Sequence, residues 1–210
     1  YQRHWFDRIV DLVDNYQPDL LYSDGGLPFG AVGRALVAHL YNGSIARRGR
    51  LDAVYTCKNS GSGEFHREAS VEDVERGVLK GINALPWQTD TSNGDWFFND
   101  RHPYKTTSQI VTMLADIVSK NGNMLLNVGP TGRGDLDPSA RATLAGIGAW
   151  MELHSRSVYG AGSTTLTPPA DCRYTRRGDR LYVHLFSWPL RHLHLPPLGE
   201  TVRYAQFLHD

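Results

Sequence analysis

Cysteine is scarce in this 210-residue chain: Cys57 and Cys172 are too few for a disulfide framework and too far apart for a C-x-x-C zinc site. Charge of one sign is not in excess either, since 22 Lys and Arg stand against 22 Asp and Glu. That balance leaves no electrostatic footprint for nucleic acid or an anionic lipid surface, and no run approaches the ~18–20 continuous apolar residues of a membrane span. Neither nucleic acid nor a membrane is therefore expected as a partner. H-E-x-x-H, the G-x-S-x-G elbow, a Walker loop and the dinucleotide fingerprint are all missing, and among nine histidines only His192 and His194 form a lone H-x-H. The expectation is an activity with no metal and no cofactor. An initiating methionine and a signal peptide are missing too, because Tyr1 to Phe6 open inside an amphipathic helical pattern. The chain thus reads as a fragment, and the missing leader says nothing of compartment.

Hydrophobic residues make up 40% of the chain, ample for a packed core, and aromatics are plentiful at Trp 5, Tyr 10 and Phe 7. Trp5, Ile9, Leu12, Val13 and Tyr16 recur with helical spacing; Pro18 closes that segment before a short apolar strand, Leu20 to Tyr22. Gly25 and Gly26 break the strand and leave Asp24 at its C-terminal end. A helix from about Ala31 to Tyr41 and a strand around Ala53 to Cys57 repeat the unit, followed by a Gly- and Ser-rich loop from Lys58 to about Ser70. Val71 to Trp96 has no clear period. Ile110, Val111, Leu114, Ile117 and Val118 form a strong helical stripe that the spacing ends at an Asn121-Gly122 cap, and Met124 to Val128 reads as a buried strand. Asp137 and Pro138 supply the N-cap and first-turn proline of a helix reaching about His154.

Helices alternating with short strands over some 155 residues predict a parallel α/β architecture, an open sheet or part of a (β/α) barrel. A full barrel takes about 250 residues, so the fitting form is the later half of one. From Thr164 the texture changes to Pro168-Pro169, a turn at Arg176-Arg177-Gly178-Asp179 and alternation over Leu181 to Trp188. Residues 1–163 are thus expected to be barrel, and 164–210 the beginning of a small β domain.

Barrel enzymes keep their chemistry at the C-terminal ends of strands, which singles out Asp24, although locally an Asp before two glycines reads as a turn residue. Glycoside hydrolysis needs a second carboxylate, and Glu64, Glu68, Glu72, Asp73 and Glu75 are candidates. Strand alternation would set Asp73 and Glu75 on the face opposite Glu72, with Arg76 as a neighbouring cation. The same segment also reads as a solvated charged loop. Trp87 to Thr91 and Asp95 to Phe98 mix aromatics with hydrogen-bonding groups, as a sugar pocket or an ordinary core would. The asparagines of Asn123 to Pro130 most simply satisfy backbone groups.

In order along the chain, four segments resemble the retaining α-L-fucosidases. They are Tyr16-Gln17-Pro18-Asp19-Leu20-Leu21-Tyr22-Ser23-Asp24-Gly25, Asp73-Val74-Glu75-Arg76-Gly77, Pro86-Trp87-Gln88-Thr89-Asp90-Thr91-Ser92 and Val118 through Pro130, the last the most specific. Ile147 to Trp150 and Val158 to Gly160 continue the likeness. It implies a (β/α) barrel followed by a β-sandwich, a fucosylated oligosaccharide or glycoconjugate as substrate, and double displacement without a cofactor. By the resemblance Asp24 is the nucleophile and Glu75 the acid/base, with Glu64 as runner-up. Tyr22 and Trp96 would line the fucose pocket, and Lys58 falls near a position that binds sugar hydroxyls. The family's histidine-rich sugar-binding residues belong to earlier strands not present here, so the chain by itself is expected to be inactive. Relatives favour a secreted, periplasmic or lysosomal location; oligomeric state is left open. The rival readings are a non-catalytic carbohydrate-binding or structural remnant of the same fold and a retaining glycosidase of another specificity.

Overall fold

The computed structural model describes residues 1–199 and 201–209. Its elements run α1 (Gln2–Tyr16), β1 (Leu20–Ser23), α2 (Ala31–Arg48), β2 (Val54–Lys58), β3 (Val71–Asp73), β4 (Trp87–Ser92), α3 (Thr107–Ser119), β5 (Gly122–Asn127), α4 (Pro138–His154), β6 (Cys172–Arg177) and β7 (Arg180–Leu185). Strands β1 to β5 lie side by side in chain order, and the pairs β1–β2, β2–β3 and β3–β4 are parallel. Parallel neighbours need crossovers; α1 and α2 flank β1 and α3 and α4 flank β5, as in a (β/α) barrel, whereas β2, β3 and β4 follow one another through connections that hold no helix. The fold is the later part of such a barrel followed by an antiparallel β6–β7 hairpin, joined through Gly178 in the left-handed region (φ 58°).

The chain divides into two compact units, Tyr1–Glu75 with Pro86–Gln88, and Arg76–Leu85 with Thr89–Asp210. In the first, Val13, Leu27, Val37, Leu40, Ala53, Tyr55 and Cys57 make the core, with Ile9, Leu21, Tyr41 and Phe65 packed around it. The α1 periodicity therefore finds the correct face, yet Leu12 and Tyr16 are 42% and 79% exposed, and only Val13 is buried outright. Helix α2 runs a further two turns past Tyr41, to Arg48, because Ser44 on its buried face accepts the amides of Asp52 and Ala53 at 3.1 and 3.2 Å.

In the second unit, Thr106 and Gln109 form a capping box at the start of α3, whose Ile110, Ala115, Ile117 and Val118 are buried. Its C-cap is Lys120, not Asn121-Gly122 as the sequence suggests. Asn121 takes the left-handed conformation (φ 66°) that asparagine tolerates, and Gly122 is already the first residue of β5. Asp137 caps α4 as predicted, accepting the amides of Ser139 and Ala140 with Pro138 in the first turn. Strands β1 and β5 read as buried runs but are not: Leu20 and Leu125 are each about half exposed. Both are end strands of the five-stranded sheet, each with a single strand neighbour. In the hairpin, burial pushes His184 down to about 4, which leaves it neutral at pH 7. Because the Thr175 hydroxyl donates to the Ser157 carbonyl at 2.7 Å, the 3.0 Å contact between them is His184 Nε2–H donating to Thr175 Oγ1.

Candidate active site

Asp24 follows β1 directly, and a short backbone ladder holds the loop that carries it. Lys58 N–H donates to the Gly25 carbonyl at 2.9 Å, Gly26 N–H to Ser62 at 2.9 Å, and Leu27 and Glu64 exchange bonds of 2.8 and 2.9 Å. The Gly25-Gly26 turn is therefore zipped onto the loop after β2. Glycine is required because the backbones touch: a Cβ on Gly26 would lie 2.8 Å from the Gly63 carbonyl carbon, and one on Gly63 would lie 2.6 Å from that of Gly26. Gly26→Ala is expected to destabilise the protein by about 1–3 kcal/mol, because backbone on both sides has to move. Urea denaturation checks it, with an unchanged midpoint as the contrary result.

The parallel register sets the next residues. Lys58 ends β2 opposite Asp73, the last residue of β3, and Asp73 in turn faces Gln88 on β4. Asp73 is buried; it accepts the Tyr22 hydroxyl at 3.2 Å and the Gln88 amide at 2.9 Å, which orients Tyr22 from behind. The strand stops at Asp73, so Glu75 lies two residues beyond it instead of within an alternating run.

Lys58 gathers the carboxylates. Its side chain is 10% exposed, and its Nζ lies 2.8 Å from Asp24 Oδ1 and 2.5 Å from Glu75 Oε2. Those two oxygens are no farther apart than the two distances laid end to end, about 5.3 Å. The carboxylates themselves open to solvent, Asp24 more than Glu75. The chemistry this permits is a pair of acidic groups acting on one small electrophile from two sides, with a fixed cation between them.

Glu64 sits otherwise. Both its oxygens accept from Arg34 Nη1, at 2.8 and 2.7 Å, and Oε2 also meets His66 Nε2 at 2.9 Å. The hydrogen bonds from His66 and Arg34 hold its carboxyl below the usual carboxylate range. In the second compact unit, Arg76 lies over Trp96, its guanidinium carbon 4.5 Å from the ring centroid, and Nη2 reaches Ser92 Oγ at 3.3 Å. Arg76 is thus a clamp on the Trp96 ring, held in the left-handed region (φ 47°). Asn127 Nδ2 donates to the Trp96 carbonyl at 3.0 Å, the backbone-satisfying role read for these asparagines. Trp87, which sequence leaves between pocket and core, is fully buried. The structure brings Asp24, Lys58, Glu75, Asp73 and Tyr22 into one unit, while Trp96 belongs to the other.

A family model described as alpha-L-fucosidase matches residues 1–156. The chain belongs to the α-L-fucosidase family. Among curated α-L-fucosidases it is 28% identical to the human plasma enzyme over 202 residues, covering 86% of this chain and 41% of that protein. The human tissue α-L-fucosidase is 24% identical over 197 residues. Among solved structures, α-L-fucosidase isoenzyme 1 from Paenibacillus thiaminolyticus superimposes with a TM-score of 0.75 at 26% identity, covering 90% of this chain and 48% of that one. The Thermotoga maritima α-fucosidase in complex with fucose shares the fold with a TM-score of 0.70 at 24% identity. The chain thus spans less than half the length of the α-L-fucosidases it matches.

The positioning roles of Asp73, which the sequence offers only as a candidate second carboxylate, and of Gln88 are not visible in the sequence. Nothing in one chain's spelling announces that Asp73 faces Lys58 across a ladder, and Gln88 looks like any strand glutamine until register places its amide on Asp73.

Proposed function

We propose that the protein carrying this chain hydrolyses α-linked L-fucosides with retention, using Asp24 as nucleophile and Glu75 as acid/base. The single observation that carries this is the carboxylate pair on one ammonium, its two Lys58-bound oxygens no more than about 5.3 Å apart, a closeness that suits the about 5–5.5 Å pairing of retaining glycosidases. In the first step an Asp24 oxygen forms a bond to the anomeric carbon while the bond to the aglycone oxygen breaks, and Glu75 gives that oxygen its proton. In the second, water bonds to the same carbon, Glu75 takes a proton from it, and the ester to Asp24 breaks. Glu75 is preferred over Glu64 because it shares the Lys58 ammonium with Asp24, whereas both oxygens of Glu64 are taken by Arg34 and His66.

Tyr22, held by Asp73, is proposed to line the sugar pocket, and Trp96 to offer its ring to the apolar side of the sugar. Residues 1–163 are proposed as barrel and 164–210 as the start of the β domain. The substrate class is a fucosylated oligosaccharide or glycoconjugate, as the family's name implies, and the plasma relatives favour a location outside the cytosol. Proton NMR of an aryl α-L-fucoside digest tests the stereochemistry: α-L-fucose is expected as the first anomer released. First release of the β anomer would contradict the reading, and no release at all would favour the non-catalytic remnant.

A further inference from the structure

Lys58 contacts both halves of the proposed pair, and its placement has a consequence for charge. Before the first step of double displacement, Asp24 is an anion and Glu75 carries a proton. After it, Asp24 is a neutral ester of the sugar and Glu75 is the anion. One negative charge has moved from one carboxylate to the other, and the second step moves it back. An ammonium that touched only the nucleophile would favour the starting state and resist the transfer. Lys58 Nζ, at 2.8 Å from Asp24 Oδ1 and 2.5 Å from Glu75 Oε2, touches both ends of that path.

Lys58 is also built in place. It closes β2 opposite the buried Asp73, its own N–H is tied to Gly25 beside the nucleophile, and its side chain is 10% exposed, so the ammonium is largely withdrawn from water. A shielded charge acts more strongly on its neighbours than a solvated one. We propose that Lys58 is a positioning residue for the two carboxylates, a stationary cation that accompanies the negative charge from Asp24 to Glu75 and back. The inference rests on the retaining reading given above. The titratable and polar groups around it are Asp24 and Tyr22 from the β1 side, and Asp73 and Glu75 from the β3 side; Gln88 and Tyr22 both bond Asp73.

Two variants of the intact protein test this, Lys58→Met and Lys58→Arg, with an aryl α-L-fucoside. For Lys58→Met, kcat is expected to fall about 30- to 100-fold with KM changed little, the size of a lost charge-assisted bond. Lys58→Arg should recover most of kcat. A loss carried by KM, no rescue by Lys58→Arg, or no change in Lys58→Met overturns the proposal. If Lys58→Met is poorly folded by circular dichroism, Lys58→Gln replaces it under the same criteria. The underlying reading fails separately: Asp24→Gly with full activity removes the nucleophile, whereas a dead Asp24→Gly beside a KM-only Lys58→Met removes this inference alone.

Discussion

Asp24→Gly is expected to lower kcat on an aryl α-L-fucoside by at least about 10⁴-fold, the scale of losing a nucleophile. Azide should then restore turnover. The space left by the carboxylate admits a small anion to the same face of the anomeric carbon, where azide bonds to carbon while the aglycone oxygen leaves with the proton from Glu75. The product is the fucosyl azide of inverted, β configuration. Asp24→Asn should be equally inactive, since an amide fills the position without offering an anionic oxygen. The surrounding structure supports reading these as chemical losses. Asp24 is a mostly exposed side chain that pairs with Lys58, and when it is removed that ammonium keeps Glu75. An Asp24→Gly variant that retains activity, or one that azide accelerates to the α azide, would remove Asp24 from the nucleophile's role.

The second large effect belongs to Glu75, and it is selective. For leaving groups that need protonation, Glu75→Ala should slow the first step by about 10²–10⁴-fold, the usual worth of a general acid. For an activated aryl fucoside whose phenol departs unprotonated, the first step should change by less than about tenfold, and the deglycosylation step becomes limiting. The slope of log kcat/KM against leaving-group acidity should steepen accordingly. Glu64 supplies the contrast. Its removal releases Arg34 and His66 from an exposed cluster and should leave that slope as it was. If Glu64→Ala steepens the slope and Glu75→Ala does not, the two residues exchange roles.

Much of this arrangement is legible in the sequence wherever local chemistry decides it. Asp137 followed by Pro138 caps α4 because both residues act within one turn, and α4 ends at His154 where the pattern stops. The Gly178 turn and its flanking alternation mark the β6–β7 hairpin for the same reason. Asp24 at a strand end is legible because Gly25-Gly26 cannot continue a strand. What sequence could not supply depends on which strands become neighbours. The half-exposed Leu20 of β1 and Leu125 of β5 are not announced by an apolar run, since composition alone does not say what covers a strand. Segment 71–96 had no period because β3 is only three residues long and β4 is buried on nearly every side.

The site divides along the same line. Glu75 and Asp24 are separated by a long stretch of chain and meet only because β1, β2 and β3 pair in register; the family likeness, not spacing, joined them beforehand. Arg76, expected as a cation beside the carboxylates, instead covers Trp96. Lys58, which the resemblance sets near a position that binds sugar hydroxyls, stands between the two carboxylates. Its position follows from the Lys58–Asp73 register, a fact of tertiary structure.

The most direct test of the central claim is peptide mapping of the intact protein after reaction with a 2-fluorinated fucosyl substrate, whose covalent intermediate forms faster than it hydrolyses. The account predicts one fucosyl label, on the peptide that contains Asp24, as an ester lost when Asp24 is replaced by Gly. A label on any other carboxylate, Glu64 or Glu75 included, would contradict it.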